Sequence, residues 1–231
     1  MNMIRQRLVA ILVFIVFLFG FGVAQAATVV EQARAVHWTD NNMDALKRIF
    51  ADTATVNTFL LSFFPNAVPE PDVGEYELVD LHRDGKIQLV ITFAYSRAFY
   101  NHLYIVAREG GQFQTSEIFT GGAPIQNLKA SIVDLNSDGT KQFLLPRYLA
   151  PHFGAAQPVP IMIDVYAWNG RQYEAANSSY KNFYRDSVLP RLRTSLDRVQ
   201  HGQVTKDQES EEILKEKYQK EIEAVNAVVG Q

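Results

Sequence analysis

Val79-Asp80-Leu81-His82-Arg83-Asp84-Gly85-Lys86-Ile87-Gln88-Leu89 and Val133-Asp134-Leu135-Asn136-Ser137-Asp138-Gly139-Thr140-Lys141-Gln142-Phe143 are two copies of one pattern. In each copy an apolar residue precedes an Asp, an Asp-Gly pair follows, and a Gln closes the loop before the next apolar residue. Such a repeat reports stacked supersecondary units rather than a single catalytic pocket. The residues around the loops agree. Leu89 to Phe93 is a dense β-forming run after the first loop, and Asp84-Gly85 supplies its turn. Leu103, Ile105 and Ala107 alternate before Gly110-Gly111, with Phe113 beyond. Ile163, Val165 and Ala167 do the same before Asn169-Gly170, with Tyr173 in Phe113's place. Asn-Gly between alternating runs is a strong hairpin signal and Gly-Gly a permissible one, so each copy predicts about two hairpins.

The copies are unequal in length. Asp80 and Asp134 are 54 residues apart, Phe113 and Tyr173 are 60 apart, so the second copy carries six extra residues. They fall between Pro146 and Pro160, which also holds Pro151, Pro158, Tyr148, His152 and Phe153. A proline-rich insertion does not continue a central strand, so this stretch is expected to protrude as a loop.

On either side of the repeats the period is helical. Ala33, His37, Met43, Leu46, Phe50, Val56, Phe59, Leu60 and Phe63 predict one short and one longer helix, with Thr39 or Asp40 as an N-cap. Pro65, Pro69 and Pro71 end that region. Val188, Leu189, Leu192, Leu196 and Val199 predict a helix with Pro190 in its first turn and Gly202 at its end. Thr205 with Gln208 reads as a capping box opening a charged last helix, whose few apolar positions predict loose docking.

The first 26 residues have the layout of a secretory signal peptide. Arg5 and Arg7 precede an uncharged run from Leu8 to Val23, then the small-residue site Ala24-Gln25-Ala26. Export to the periplasm or outside the cell is therefore expected, with membrane attachment only if that segment stays uncleaved. Losing its two arginines takes the formal charge from −3 to −5, which gives no electrostatic basis for binding nucleic acid. The chain has no Cys, so disulfides are excluded and a hydrophobic core must hold the fold.

The loop Asp134-x-Asn136-x-Asp138-Gly139-x-x-Gln142 sets oxygens at alternate positions around a tight turn, the spacing with which one loop wraps a calcium ion. An apolar-Asp-Leu-Asn-x-Asp-Gly-x-x-Gln-apolar loop followed by a hairpin ending in an aromatic resembles the FG-GAP or VCBS-type repeat, which includes the calcium-loop blades of integrin α-subunit propellers. The resemblance covers about residues 74 to 177. It implies a calcium site at Asp134, Asn136, Asp138, Thr140 and Gln142. It implies a degenerate copy at Asp80, His82, Asp84 and Gln88, where His82 is a poor ligand for a hard cation. Family repeats place an acidic residue where this chain has Gln88 and Gln142. The reading of the residues alone is that the loop carboxylates hold turn amides.

The five histidines, His37, His82, His102, His152 and His201, lack zinc-ligand spacing, and neither a thiol nor a Gly-x-Ser-x-Gly nucleophile is available. The expected fold is α+β: an antiparallel core of two blade-like hairpin repeats flanked by N- and C-terminal helices, short of the four to eight blades that close a propeller. The expected segments are a signal peptide over 1–26, helices over 27–70, the β module over 71–180 and helices over 181–231. The expected function is non-enzymatic recognition of a protein or glycan in the cell envelope, with no cofactor other than calcium. The alternatives are an envelope-polymer hydrolase using carboxylates at the loop rim, or an inhibitor or scaffold acting through its terminal helices. Aromatic stretches at Phe93 to His102 and Tyr148 to Phe153 are the candidate rim.

Overall fold

A computed structural model describes residues 28–64, 72–94, 101–119, 123–148, 161–204 and 208–230. The signal segment and most of the proline-rich insertion lie outside them. Helix α1 (28–35) is followed by α2 (Met43–Ile49) and α3 (Thr53–Leu61), then four strands β1 (Asp72–Val79), β2 (Gln88–Ala94), β3 (His102–Glu109) and β4 (Gln112–Phe119). A short α4 (Leu128–Ser131) leads to β5 (Ile132–Val133), β6 (Gln142–Tyr148), β7 (Ile161–Trp168) and β8 (Tyr173–Ala175). The chain ends in α5 (Lys181–Phe183), a π-helical stretch Tyr184–Val188, α6 (Leu189–Gln200) and α7 (Gln208–Gly230). The strands form two antiparallel four-stranded meanders, β1-β2-β3-β4 and β5-β6-β7-β8, which with the terminal helices make an α+β fold.

The turns follow from local chemistry. Gly110 and Gly111 both take positive φ, 55° and 82°, which is what a two-residue turn between Glu109 and Gln112 requires. The second hairpin is wider. Asn169 Oδ1 accepts from the amides of Arg171 and Gln172, both at 2.9 Å, and Gly170 takes φ 96°.

Burial arranges four layers, and the two copies face the same way within them. On the first sheet, Leu89, Ile91, Phe93, Tyr104 and Val106 pack on Trp38, Leu46, Phe50, Phe59 and Leu60 of the N-terminal segment. Its other face presents Val90, Leu103, Ile105 and Ile118 to Phe143, Leu145 and Tyr173 of the second sheet. Leu144 and Val165 then meet Tyr184, Val188, Leu189, Leu192 and Val225 of the C-terminal helices. By the 54-residue offset, Leu89 and Ile91 correspond to Phe143 and Leu145, and Val90 to Leu144. The equivalent face therefore meets helices in the first copy and a sheet in the second. The two sheets stack head to tail, as neighbours in a repeat array do, and helices cover the outer face of each.

Several expectations are refined. The N-terminal region breaks into separate helices because Asp52 caps α3, its carboxylate accepting from the Thr55 amide at 2.8 Å. Thr39 makes no side-chain cap bond; instead residues 38–40 pair with the first loop, through Ile87 N–H to Trp38 C=O at 3.0 Å and Asp40 N–H to Gly85 C=O at 3.1 Å. Pro146 lies inside β6, opposite Ile163. It is tolerated there because β5 pairs only with Gln142 and Phe143, so β6 has one partner strand at Pro146. Pro190 opens α6 and Gly202, at φ 65°, follows its end. Thr205, the expected cap of the last helix, lies outside the described residues. Helix α7 is not loosely docked: Leu214 and Val225 are buried, and Arg147 links Asp164 (2.7 Å) to Glu221 of α7 (3.3 Å).

Among the described residues, no helix is long and apolar enough to cross a membrane.

Candidate functional site

The two repeated loops share three matching hydrogen bonds. Asp80 Oδ2 accepts from the Gly85 amide at 2.8 Å, and Asp134 Oδ2 from Gly139 at 2.9 Å. Asp84 Oδ1 accepts from Lys86 at 3.0 Å, and Asp138 Oδ1 from Thr140 at 2.7 Å. Gln88 Oε1 accepts from Leu81 at 2.9 Å, and Gln142 Oε1 from Leu135 at 2.8 Å. Positive φ falls at matching places, Arg83 and Gly85 in one loop, Ser137 and Gly139 in the other. The loops also touch. Arg83 Nη1 donates to the Asp138 carbonyl at 2.9 Å, the Lys141 amide donates to the Leu81 carbonyl at 2.8 Å, and a Cβ on Gly139 would lie 2.1 Å from Arg83 Cδ.

The calcium set fits poorly as these side chains stand. The Thr140 carbonyl accepts from Gln142 Nε2 at 2.9 Å, so a donor already faces one of the oxygens expected to meet the ion. Asp138 Oδ2 accepts from Asn136 Nδ2 at 2.7 Å, and Lys141 Nζ stands 3.9 Å from Asp134 Oδ2. Asp134 Oδ1 alone is buried without a partner. Among the described residues, no group of three His, Asp or Glu is placed to hold a metal.

His82 has a different place. Its ring lies 4.5 Å from Trp168 and 5.9 Å, nearly parallel, from Tyr173, so the first loop meets the β7–β8 hairpin through stacked rings. Trp168 and Tyr173 are directly paired across that hairpin, and Tyr173 packs edge-on against Phe143 at 4.7 Å. Trp168 is 38% exposed, so one side of the indole is held by rings and the rest is open. Burial lowers the pKa of His82, more than the nearby Asp84 and Asp80 raise it. Its Nδ1 is enclosed without a partner. An enclosed lone pair costs less than an enclosed N–H, so the neutral ring carries its proton on Nε2. Burial also raises the pKa of Tyr173, whose hydroxyl donates to the Lys141 carbonyl at 3.1 Å.

These rings line one side of a cleft of about 330 Å³. Its floor is the inner face of the first sheet, where the apolar core at Ile105 gives way to Ala107, Gln114 and Ser116. Across it stand Trp168, Tyr173 and Arg171, while His82, Asp84 and Lys86 come from the loop. The cleft forms because β3 and β4 run for eight residues each whereas β8 has three, so the first sheet outruns the second at this end of the seam. Its volume lies at the lower end of small-molecule sites, about 300–1,000 Å³.

No family model, curated protein or solved structure matches this chain. The site is therefore read from its own geometry. Of the residues singled out in the sequence, His82, Asp84 and Gln88 reach the cleft, while Asp134, Asn136, Asp138, Thr140 and Gln142 build the second turn beside it. Phe93 is buried under the N-terminal helices and His102 pairs with Glu117, so neither forms an open rim. Residues 95–100 and 149–153 of the candidate rim lie outside the described residues. Trp168 and Arg171 went unnoticed in the sequence. The signal for Trp168 was a large aromatic next to a hairpin turn, where the first copy has Arg108.

Proposed function

We propose that the chain is an exported, non-enzymatic binding protein built from two degenerate FG-GAP/VCBS-like repeats, which recognises a component of the cell envelope at the seam cleft. The observation that carries this reading is the exposed Trp168, braced by His82 and Tyr173 over a cleft of mixed polar and apolar lining. A rigid, partly open aromatic beside charged and amide groups is the makeup of a recognition hot spot. The signal-like first 26 residues support the location. Trp168→Ala in the full-length protein tests the reading: retention on isolated envelope fractions is expected to fall with folding unchanged by circular dichroism. Undiminished retention would overturn it.

The hydrolase reading has one observation in its favour, that Asp84 and Glu109 both line the cleft. Against it, the Asp84 carboxylate already accepts from the Lys86 amide and pairs with its ammonium at 3.3 Å. Turnover of envelope polysaccharide that is lost in both Asp84→Asn and Glu109→Gln would favour the enzyme instead. The scaffold reading has less support, because the terminal helices place their buried apolar residues on the outer faces of the sheets.

A further inference from the structure

The composition of the cleft narrows what it takes. Its charged side chains balance, Asp84 and Glu109 against Lys86 and Arg171, and Lys86 sits against Asp84. His82 adds no charge near neutrality, because burial disfavours its protonated form. A phosphate or polyanion would find no surplus of cations, and a polycation no surplus of carboxylates. A purely apolar ligand would strand the amide of Gln114 and the hydroxyl of Ser116 along the floor. What matches is a neutral ring with one apolar face and a fringe of hydroxyls. The apolar face lies on the open indole, and each hydroxyl, donor and acceptor at once, meets amide, carboxylate or guanidinium groups.

We infer that the seam cleft is a saccharide site that holds a neutral pyranose of an envelope glycan, stacked on Trp168 and hydrogen-bonded along Gln114, Ser116 and Arg171. This rests on the binding reading above and names its ligand class. The chain contains two tryptophans, Trp38 at 3% exposure and Trp168 at 38%, so a water-soluble quencher reports on Trp168.

The test is iodide quenching of the full-length protein, titrated with neutral oligosaccharides of glucose, galactose, mannose and N-acetylglucosamine, and with oligogalacturonate as the charged control. At least one neutral oligosaccharide is expected to shield Trp168 saturably, with oligogalacturonate ineffective. Calorimetry with the same sugar should show binding about tenfold or more weaker in Gln114→Ala and in Trp168→Ala, the loss typical of truncating a hot-spot side chain. Shielding by none of the neutral sugars, shielding by oligogalacturonate alone, or undiminished affinity in both variants overturns the inference. The two levels fail separately. If Trp168→Ala abolishes envelope retention while no sugar shields the indole, the binding site stands and the saccharide falls. If retention survives Trp168→Ala, the binding reading itself falls.

Discussion

Leu89 and Phe143 hold the same position in two copies of one repeat, yet Leu89 is buried against helices and Phe143 against a sheet. Val90 and Leu144 reverse the arrangement. The difference teaches that the repeat specifies a unit apolar on both faces and leaves open what covers each face. The coverings also differ in kind. The N-terminal one is aromatic, with Trp38, Phe50 and Phe59 packed on one another and on Phe113 of β4 at ring separations of 5.1 to 6.3 Å. The C-terminal one adds an ion network through Arg147 to mixed packing of Tyr184 with Val188, Leu189, Leu192 and Val225.

The largest break comes at the seam. Phe143→Ala empties fully buried volume between the sheets and is expected to cost about 3–5 kcal/mol, with Leu89→Ala at about 2–5 kcal/mol on the helix side. Urea denaturation of the full-length protein measures both, and a cost for Phe143→Ala within noise would mean the sheets are not joined through this core. Next come the loops. Gln88→Leu and Gln142→Leu each strand one turn amide, of Leu81 or Leu135, and should cost about 1–3 kcal/mol apiece. Clearly unequal costs would show that the loops are alike in shape but not in energy.

A smaller effect separates the third loop positions, His82 and Asn136. With its pKa lowered by burial, the folded His82 binds fewer protons than the unfolded ring, which titrates near pH 6.5. The sign follows: His82 leaves stability intact above about pH 6.5 and withdraws it as the pH falls below, until the folded ring is protonated too. Melting temperatures from pH 7 down should therefore fall more steeply in the native protein than in His82→Asn, and parallel curves would refute the assignment. Least of all, millimolar calcium or a chelator is expected to leave the melting temperature unchanged. A calcium-dependent rise would show that the second loop binds an ion in the native state and differs from the first after all.

Much of the architecture was legible because it rests on local chemistry. The Asp-Gly turns, Gly110-Gly111 and Asn169-Gly170 announce hairpins, and Pro190 and Gly202 bracket a helix. The split at Asp52 was missed because an apolar stripe ran across it while one capping carboxylate decided the break. The cleft was not legible, because it depends on unequal strand lengths and on His82 meeting Trp168 across the seam. His82 looked like a spoiled ligand position. In the fold it is a packing partner for Trp168.

Head-to-tail stacking carries a consequence for assembly. A unit whose front fits the back of its own kind has no intrinsic stopping point, and heterologous contacts of that sort grow into open filaments unless the ends are sealed. Here α1 to α3 seal one end and α5 to α7 the other, so the terminal helices act as chain terminators for a two-unit polymer. Proteolysis that freed α6 and α7 would bare Leu144 and Val165, the counterparts of Val90 and Ile105, which already bind a sheet. With α1 to α3 still over Leu89 and Ile91, the face that would receive them stays covered, so open growth requires the loss of both helical coverings.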